Sequence, residues 1–104
     1  MIRVSVLYPE QDGARFDMDY YAQKHMGMVK ERFASFGLQS IQVDKGLVGG
    51  QPGSRPTYRC MAALVFDNID NYKAAFKEHG PALLEDIPNF TDISPIIQVS
   101  EVVV

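Results

Sequence analysis

The segment that most constrains the fold is an almost continuous apolar run of strand length, TYRCMAALVF, from Thr57 to Phe66. Successive side chains of a strand point to opposite faces of the sheet. A run that is apolar at nearly every position therefore predicts a strand that is buried on both faces. Any fold that contains this segment has to cover both sides of its sheet.

The remaining strand patterns lie before and after this run. Alternating apolar residues in IRVSVLY predict a first strand over residues 2–8. Leu38, Ile41 and Val43 mark a second strand, which a loop rich in Gly, Pro and Ser connects to the apolar run. The segment ISPIIQVSEVVV at the C-terminal end of the sequence predicts a fourth strand. The second strand and the apolar run are expected to form a hairpin.

Two helices are predicted between these strands. Asp17 is the expected N-cap of the first helix and Gly37 its expected C-cap. Asp67 or Asn68 caps the second helix. The Gly-Pro dipeptide that ends at Pro81 is predicted to break or kink this second helix, because proline has no N–H to donate within a helix.

The order strand, helix, strand, strand, helix, strand predicts a ferredoxin-like α+β fold, with a four-stranded antiparallel sheet and both helices on one face. Two helices on one face leave the other face open. The third and fourth strands are apolar at positions on both faces, so the open face is expected to meet a second copy of the chain. The sequence thus predicts a homodimer.

Composition narrows the possible partners and location. A chain of 104 residues predicts one domain over residues 1–104. The net charge is −3 and no lysine or arginine cluster is present, which argues against nucleic acid as a partner. No apolar stretch is long enough to cross a membrane, and the one at the N-terminus is too short for a signal peptide. With Cys60 as the only cysteine, a reducing cytoplasmic location is expected.

The segment DMDYYAQKHMG contains the most informative polar residue, His25. At about 100° per residue, one helical stripe comprises Met18, Ala22, His25, Val29, Phe33 and Phe36. Tyr21 lies at the margin of this stripe and is expected to point inward, whereas Tyr20 is expected to point outward. Only Tyr21 is therefore predicted to share a cavity with His25.

Two interpretations of His25 remain open at this point. It is either a packed core histidine whose nitrogens are satisfied locally, or an acid or base in a pocket. Imidazole has an unperturbed pKa of about 6.5 and can take up or release a proton near neutral pH. Helical spacing does not distinguish the two interpretations.

No cofactor or metal ion is predicted. The glycine-rich loop lacks the strand–turn–helix context of a nucleotide-binding motif. His25 and His79 have no neighbouring carboxylate at metal-ligand spacing, and His79 is expected to interact with the end of its helix. Cys60 is expected to be a small packed side chain.

Several segments resemble the EthD family, which is named for a locus linked to ethyl tert-butyl ether degradation. They are VSVLYP, GARFDMDYYAQKHMGMVKE, VDKGLVGGQPGS and DIPNFTDISPIIQVSE. The resemblance implies a dimeric α+β barrel in which each subunit encloses a pocket between its sheet and helices, and it identifies His25 as a pocket residue. This chain has Gly27 where proline is usual in the family, which is expected to loosen the helix after the histidine.

The wider superfamily implied by this resemblance includes cofactor-independent monooxygenases, isomerases, polyketide cyclases and haem proteins. We therefore expect an oxidoreductase that acts on a small apolar or aromatic metabolite, with His25 transferring a proton and Tyr21 donating a hydrogen bond. Three alternatives stay open: a non-catalytic binding or accessory protein for a degradation pathway, an isomerase or cyclase, and a haem protein that uses His25 or His79.

Overall fold

Four strands form one antiparallel sheet in the order β2-β3-β1-β4. In this computed structural model, which describes residues 1–104, the strands are β1 (Ile2–Pro9), β2 (Leu38–Lys45), β3 (Tyr58–Phe66) and β4 (Ile96–Glu101). All three neighbouring pairs are antiparallel. The predicted hairpin of β2 and β3 is confirmed, and the apolar run forms β3 near the centre of the sheet.

The first helix spans residues 18–33 and is built from three consecutive segments: an α-helical turn at Met18–Tyr20, a π-helical turn at Tyr21–His25, and an α-helix at Met26–Phe33. Its predicted caps are confirmed. The Asp17 carboxylate accepts a hydrogen bond from the Tyr20 N–H at 3.1 Å, which satisfies one of the free donors at the helix start. Gly37 follows a short 3₁₀ turn and has a left-handed φ of 83°.

The π turn alters which residues of this helix face the core. The N–H of Met26 donates to the carbonyl of Tyr21, five residues back, so the turn holds more residues than an α-helical turn. Residues four apart, such as Tyr21 and His25, therefore lie more nearly in line, and both are buried. Ala22, which was predicted to lie on the apolar stripe, is exposed. The sequence prediction assumed a uniform α-helix, and that assumption is wrong at this turn.

The second helix runs without a break from Ile69 to Asp86, with Asn68 as its N-cap. The predicted break at Pro81 is therefore wrong, whereas the alternative of a kink stays a prediction. Proline removes one backbone hydrogen bond from a helix interior, at a cost of about 3 kcal/mol. Here Pro81 is on the exposed side, while Ala75 before it and Leu83 after it are buried in the core. Packing on both sides of the proline keeps the two halves in one helix.

The core lies between the helices and one face of the sheet. Its fourteen buried apolar residues are Val4, Tyr8, Tyr21, Met26, Val29, Phe33, Cys60, Ala62, Leu64, Phe66, Ala75, Leu83, Phe90 and Ile93. They come from β1, β3, both helices and the segment before β4. The chain therefore has the α+β ferredoxin-like fold that the pattern of elements predicts. No helix is both long enough and apolar enough to cross a membrane.

The opposite face of the sheet carries no helix. On β3 this face presents Met61, Ala63 and Val65, of which Met61 is 44% exposed. On β4 it presents one apolar residue, Ile96, followed by polar side chains at alternating positions. The expectation that β4 is apolar on both faces therefore holds on the open face only at Ile96, and the apolar part of the open face is centred on β3.

Two glycines of the first helix region allow a matched test of this local structure. Gly37 has φ of 83°, and an added Cβ would lie 2.8 Å from the Asn71 amide nitrogen. Gly27 is in the helix, and an added Cβ would meet nothing within 4 Å. We expect Gly37→Ala to lower the free energy of unfolding by about 1–2 kcal/mol and Gly27→Ala to raise it by about 0.5–1 kcal/mol. Urea denaturation measures both, and equal effects of the same sign would contradict the assigned geometry.

Candidate functional site

A buried imidazole–carboxylate pair joins the two helices. His25 closes the π turn of the first helix, and Asp86 is the last residue of the second helix. The distance from His25 Nδ1 to Asp86 Oδ2 is 2.8 Å, and the residues are only 6% and 8% exposed. Because a buried charge needs hydrogen-bonding partners, the surroundings of Asp86 decide its protonation state.

Two further donors reach the same carboxylate. The Tyr20 hydroxyl donates to Asp86 Oδ1 at 2.7 Å, and the Asn89 side-chain amide donates to the same oxygen at 2.9 Å. Burial alone would raise the pKa of Asp86, but the hydrogen bonds from Asn89, His25 and Tyr20 outweigh burial and lower that pKa below its ordinary value. The hydrogen bond to Asp86, more than burial, raises the pKa of Tyr20. Asp86 is therefore ionised at neutral pH.

The ionised carboxylate sets the tautomer of His25. A carboxylate only accepts hydrogen bonds, so Nδ1 of His25 carries the proton and donates it to Asp86. Nε2 makes no hydrogen bond within the protein, yet no buried side-chain nitrogen or oxygen lacks a partner. Nε2 is therefore accessible to solvent or to a small ligand. In the neutral imidazole this nitrogen has a free lone pair and can accept a proton.

Aromatic rings hold the imidazole in place. Tyr21 stacks on His25 with ring centroids 5.4 Å apart and an interplanar angle of 14°, and Phe90 packs on the imidazole at 4.8 Å. Burial strongly raises the pKa of both Tyr21 and Tyr8. Tyr21 therefore stays protonated at neutral pH and is a hydrogen-bond donor rather than a base. Its inward orientation is confirmed, and its contact with His25 is ring stacking.

His25 lies in the wall of an apolar cavity of about 60 Å³ between the sheet and the two helices. Fourteen of its sixteen lining residues are hydrophobic, and no Asp, Glu, Lys or Arg is among them. Leu84 and Ile97, which are 46% and 41% exposed, line the cavity where it opens to the surface. One buried water needs about 10–15 Å³, so the cavity has room for only a few water molecules. A ligand there is either small or extends through the opening.

Three members of this network are not predicted from the sequence. Tyr20 was predicted to point outward, but it is half-buried and its hydroxyl binds Asp86, so that prediction is wrong. Asp86 and Asn89 were given no role, because 61 positions separate His25 from Asp86 along the chain. The available signal was the family-specific segment DIPNFTDISP, which begins at Asp86.

The remaining candidate residues lie away from the cavity. His79 packs against Phe33 and Phe36, and its Nδ1 is 3.5 Å from the Arg32 guanidinium. Cys60 is fully buried, and burial raises the pKa of its thiol to about 12. The enclosed space beside His25 is too small for a porphyrin, and no three His, Cys, Asp or Glu side chains cluster as metal ligands.

The EthD domain family matches residues 9–94 of the chain. An EthD-like protein from Ralstonia eutropha JMP134 is similar over 99% of this chain and 92% of its own, with 46% sequence identity and a TM-score of 0.93. None of the curated proteins matches this sequence.

Two more distant solved structures share the fold. A dimeric ferredoxin-like protein of unknown function from Thermobifida fusca YX is 16% identical over 97% of this chain and 90% of its own, with a TM-score of 0.59. A protein from Shewanella loihica PV-4 that is provisionally named a monooxygenase is 16% identical over 99% of this chain and 97% of its own, with a TM-score of 0.57. Identities this low establish the architecture and no more.

The lowered pKa of Asp86 predicts a pH-dependent stability. The ionised carboxylate stabilises the fold fully above its ordinary pKa of 3.8, and this contribution disappears as the pH falls through the lower folded-state value. We expect Asp86→Asn to lower the free energy of unfolding at pH 7 by on the order of 3 kcal/mol, with a difference from wild type that shrinks in acid.

Urea denaturation between pH 7 and pH 3 measures this difference. Asp19→Asn removes an exposed carboxylate from the first turn of the first helix and is the control. If the difference in free energy of unfolding between wild type and Asp86→Asn stays constant down to acid pH, the network does not hold Asp86 ionised.

Proposed function

This chain belongs to the EthD family, and from that premise we propose that it binds a small, neutral, largely apolar molecule in the cavity beside His25 and moves a proton to or from it. The proposal rests on the 2.8 Å hydrogen bond between buried His25 and Asp86 at the wall of an apolar cavity. A histidine oriented by a carboxylate, with its other nitrogen free, is the usual arrangement of a general base.

The lining of the cavity supports a neutral ligand. It contains no lysine or arginine, and Asp86 places a negative charge directly behind His25. A buried carboxylate or phosphate without a counter-charge is costly, so an anion is disfavoured. The ligand would present an O–H, N–H or activated C–H to Nε2 of His25. The hydroxyl of Tyr21 stays protonated and lies next to the hydroxyl of Tyr8, so it would turn from Tyr8 to donate to an oxygen of the ligand.

The reaction we favour is an oxidation of the cofactor-independent monooxygenase type, in which O₂ is the oxidant, the substrate supplies the electrons, and the first step is removal of a proton from the substrate. In that step the proton moves to Nε2 of His25 and the substrate becomes an anion, which is stabilised by a donor such as Tyr21. An isomerase or cyclase would begin with the same step. The neighbour from Shewanella loihica bears the name of a monooxygenase, but at 16% identity its name carries no reaction to this chain.

Non-catalytic binding is the second candidate, and the size and apolar lining of the cavity favour it as much as they favour catalysis. A binding or accessory protein needs the cavity and one polar anchor, but no base. The two candidates therefore differ in what loss of the imidazole does. Catalysis requires His25, whereas binding of an apolar molecule tolerates its replacement.

The first test compares the two histidines. In a screen of small neutral phenols, enols and lactones, binding is followed by thermal shift and conversion by mass spectrometry. For a converted compound we expect His25→Ala to lower kcat/KM by at least about 100-fold, the usual contribution of a positioned base. His79→Ala removes a histidine that does not line the cavity and is expected to leave kcat/KM unchanged.

The outcomes separate the candidates. Equal turnover by wild type and His25→Ala would remove His25 from the mechanism. Compounds that bind both proteins without conversion would instead favour the binding protein.

We further propose that two copies pair through the open face of the sheet. Leu7 lies beside Met61 on one neighbouring strand and beside Ile96 on the other, which creates an apolar patch that no helix of this chain covers. A face of this kind is a common site of subunit contact. The similar protein from Thermobifida fusca is described as dimeric. The cytoplasm is the compartment we propose for this assembly.

A charged side chain in the centre of this patch should prevent pairing. We expect wild type to elute with twice the 11.6 kDa mass of one chain, and Met61→Glu to elute as a monomer. Ile69→Glu is a matched control, because Ile69 is 41% exposed, similar to the 44% of Met61, and lies on a helix away from the open face. Size-exclusion chromatography with light scattering measures the masses. A monomeric wild type at micromolar concentration would refute the proposed dimer.

A further inference from the structure

One short segment supplies much of the surroundings of the His25–Asp86 pair. We call residues 87–93, which follow the second helix, the site strap. From this strap Asn89 donates to the Asp86 carboxylate at 2.9 Å, and the fully buried ring of Phe90 packs on the imidazole at 4.8 Å. The position of the strap therefore influences both members of the pair.

The site strap has few regular backbone contacts of its own. It contains one 3₁₀ turn, Ile87–Asn89, and one isolated β-bridge between Phe16 and Thr91. The backbone N–H of Asp17 also donates to the carbonyl of Phe90 at 2.8 Å. Phe90 and Ile93 of the strap are buried in the core, and the hydrogen bonds of the strap to the rest of the chain go mainly to the loop that precedes the first helix.

Arg15, in that loop, makes most of the remaining contacts with the strap. Its guanidinium donates to the carbonyl of Pro88 at 2.6 Å and to the carbonyl of Asn89 at 3.3 Å. Its own carbonyl accepts from the Thr91 hydroxyl at 2.7 Å and from the Asp92 N–H at 3.3 Å. The Arg15 N–H donates to the Asp92 carboxylate at 3.2 Å. Arg15 therefore binds four of the seven residues of the strap: Pro88, Asn89, Thr91 and Asp92.

We infer that Arg15 is a positioning residue for the proposed site. It holds the strap in place, so that Asn89 and Phe90 keep the Asp86 carboxylate and the His25 ring within hydrogen-bonding distance of each other. This inference rests on the proposed function only in assigning proton transfer to the His25–Asp86 pair. The geometry of the pair itself can be measured without any ligand. Arg15 is half exposed and does not line the cavity, so it acts through the strap and touches no substrate.

The guanidinium suits this position for two reasons. The carbonyls of Pro88 and Asn89 lie just beyond the end of the second helix, where the helix dipole and unpaired carbonyls favour a cation. The planar fork of arginine can donate to two neighbouring carbonyls at once, which a single ammonium group cannot do with the same geometry. Without the guanidinium, both carbonyls turn to water and the turn that carries Asn89 loses its external support.

A second arginine provides a matched control for charge. Arg55 is also exposed and pairs with Asp12 and Glu10, which lie in the same loop as Arg15. It makes no hydrogen bond or ion pair with the strap. Removal of either side chain takes one positive charge from the same region, but only the loss of Arg15 frees the strap.

The experiment is NMR of the ligand-free protein with ¹⁵N-labelled histidine, at a pH where the imidazole is neutral. We expect wild type and Arg55→Met to show the Nδ1–H tautomer of His25 with slow exchange of that proton with water. Arg15→Met, which keeps the aliphatic stem, should speed this exchange by about tenfold or more, because an opening free energy lower by 1.4 kcal/mol corresponds to a factor of ten. Thr91→Val, which removes the hydroxyl that binds the Arg15 carbonyl, should change the exchange in the same direction.

Two results would overturn the inference. One is a folded Arg15→Met protein in which the His25 tautomer and exchange rate match wild type. The other is an equal change in Arg15→Met and Arg55→Met, which would identify a general effect of charge. If Arg15→Met does not fold, an unaltered exchange rate in Thr91→Val has the same meaning. A failure of the proposed function would appear differently, as the absence of ligand binding or conversion by wild type.

Discussion

The structure depends on keeping one carboxylate ionised inside the protein. A buried charge is stable only when donors replace the lost water, and Asp86 obtains three of them from His25, Tyr20 and Asn89. These donors come from the first helix and from the segment after the second helix. The need of the Asp86 carboxylate for three donors therefore determines how the start of the first helix meets the end of the second. It also places the proton of His25 on Nδ1.

The π turn lets the first helix meet this requirement. Tyr20 and His25 are five positions apart, yet the Tyr20 hydroxyl binds one oxygen of the Asp86 carboxylate and His25 Nδ1 binds the other. In a uniform α-helix, positions five apart differ by about 140° around the axis, which directs their side chains away from a common target. The wider turn at Tyr21–His25 reduces this divergence and also stacks Tyr21 on the imidazole. A wide turn of this kind often coincides with a functional site, and here its geometric purpose is visible.

These two features explain which parts of the molecule can be predicted from the sequence. Strand and helix periodicity predicts the order of the elements, and Asp17, Gly37 and Asn68 cap helices as their residue types indicate. His25 and Tyr21 face inward as the spacing predicts. The role of Tyr20 could not be predicted, because no residue pattern marks a π turn. The Asp86 contact is set by tertiary packing, and the continuity of the helix through Pro81 depends on buried neighbours that periodicity does not weigh.

The central strand β1 contributes to both faces of the sheet. Val4, Val6 and Tyr8 line the cavity beside His25, while Leu7 points to the open face, where it lies beside Met61. Pairing of two copies would bury the Leu7 side and so restrain the strand that forms the cavity floor. The cavity itself lies on the helix side of the sheet, opposite the proposed contact. The proposed dimer would therefore stabilise the shape of each site from the opposite face of the sheet. The His25–Asp86 pair forms within one chain, so a monomeric variant that stays folded should still contain it.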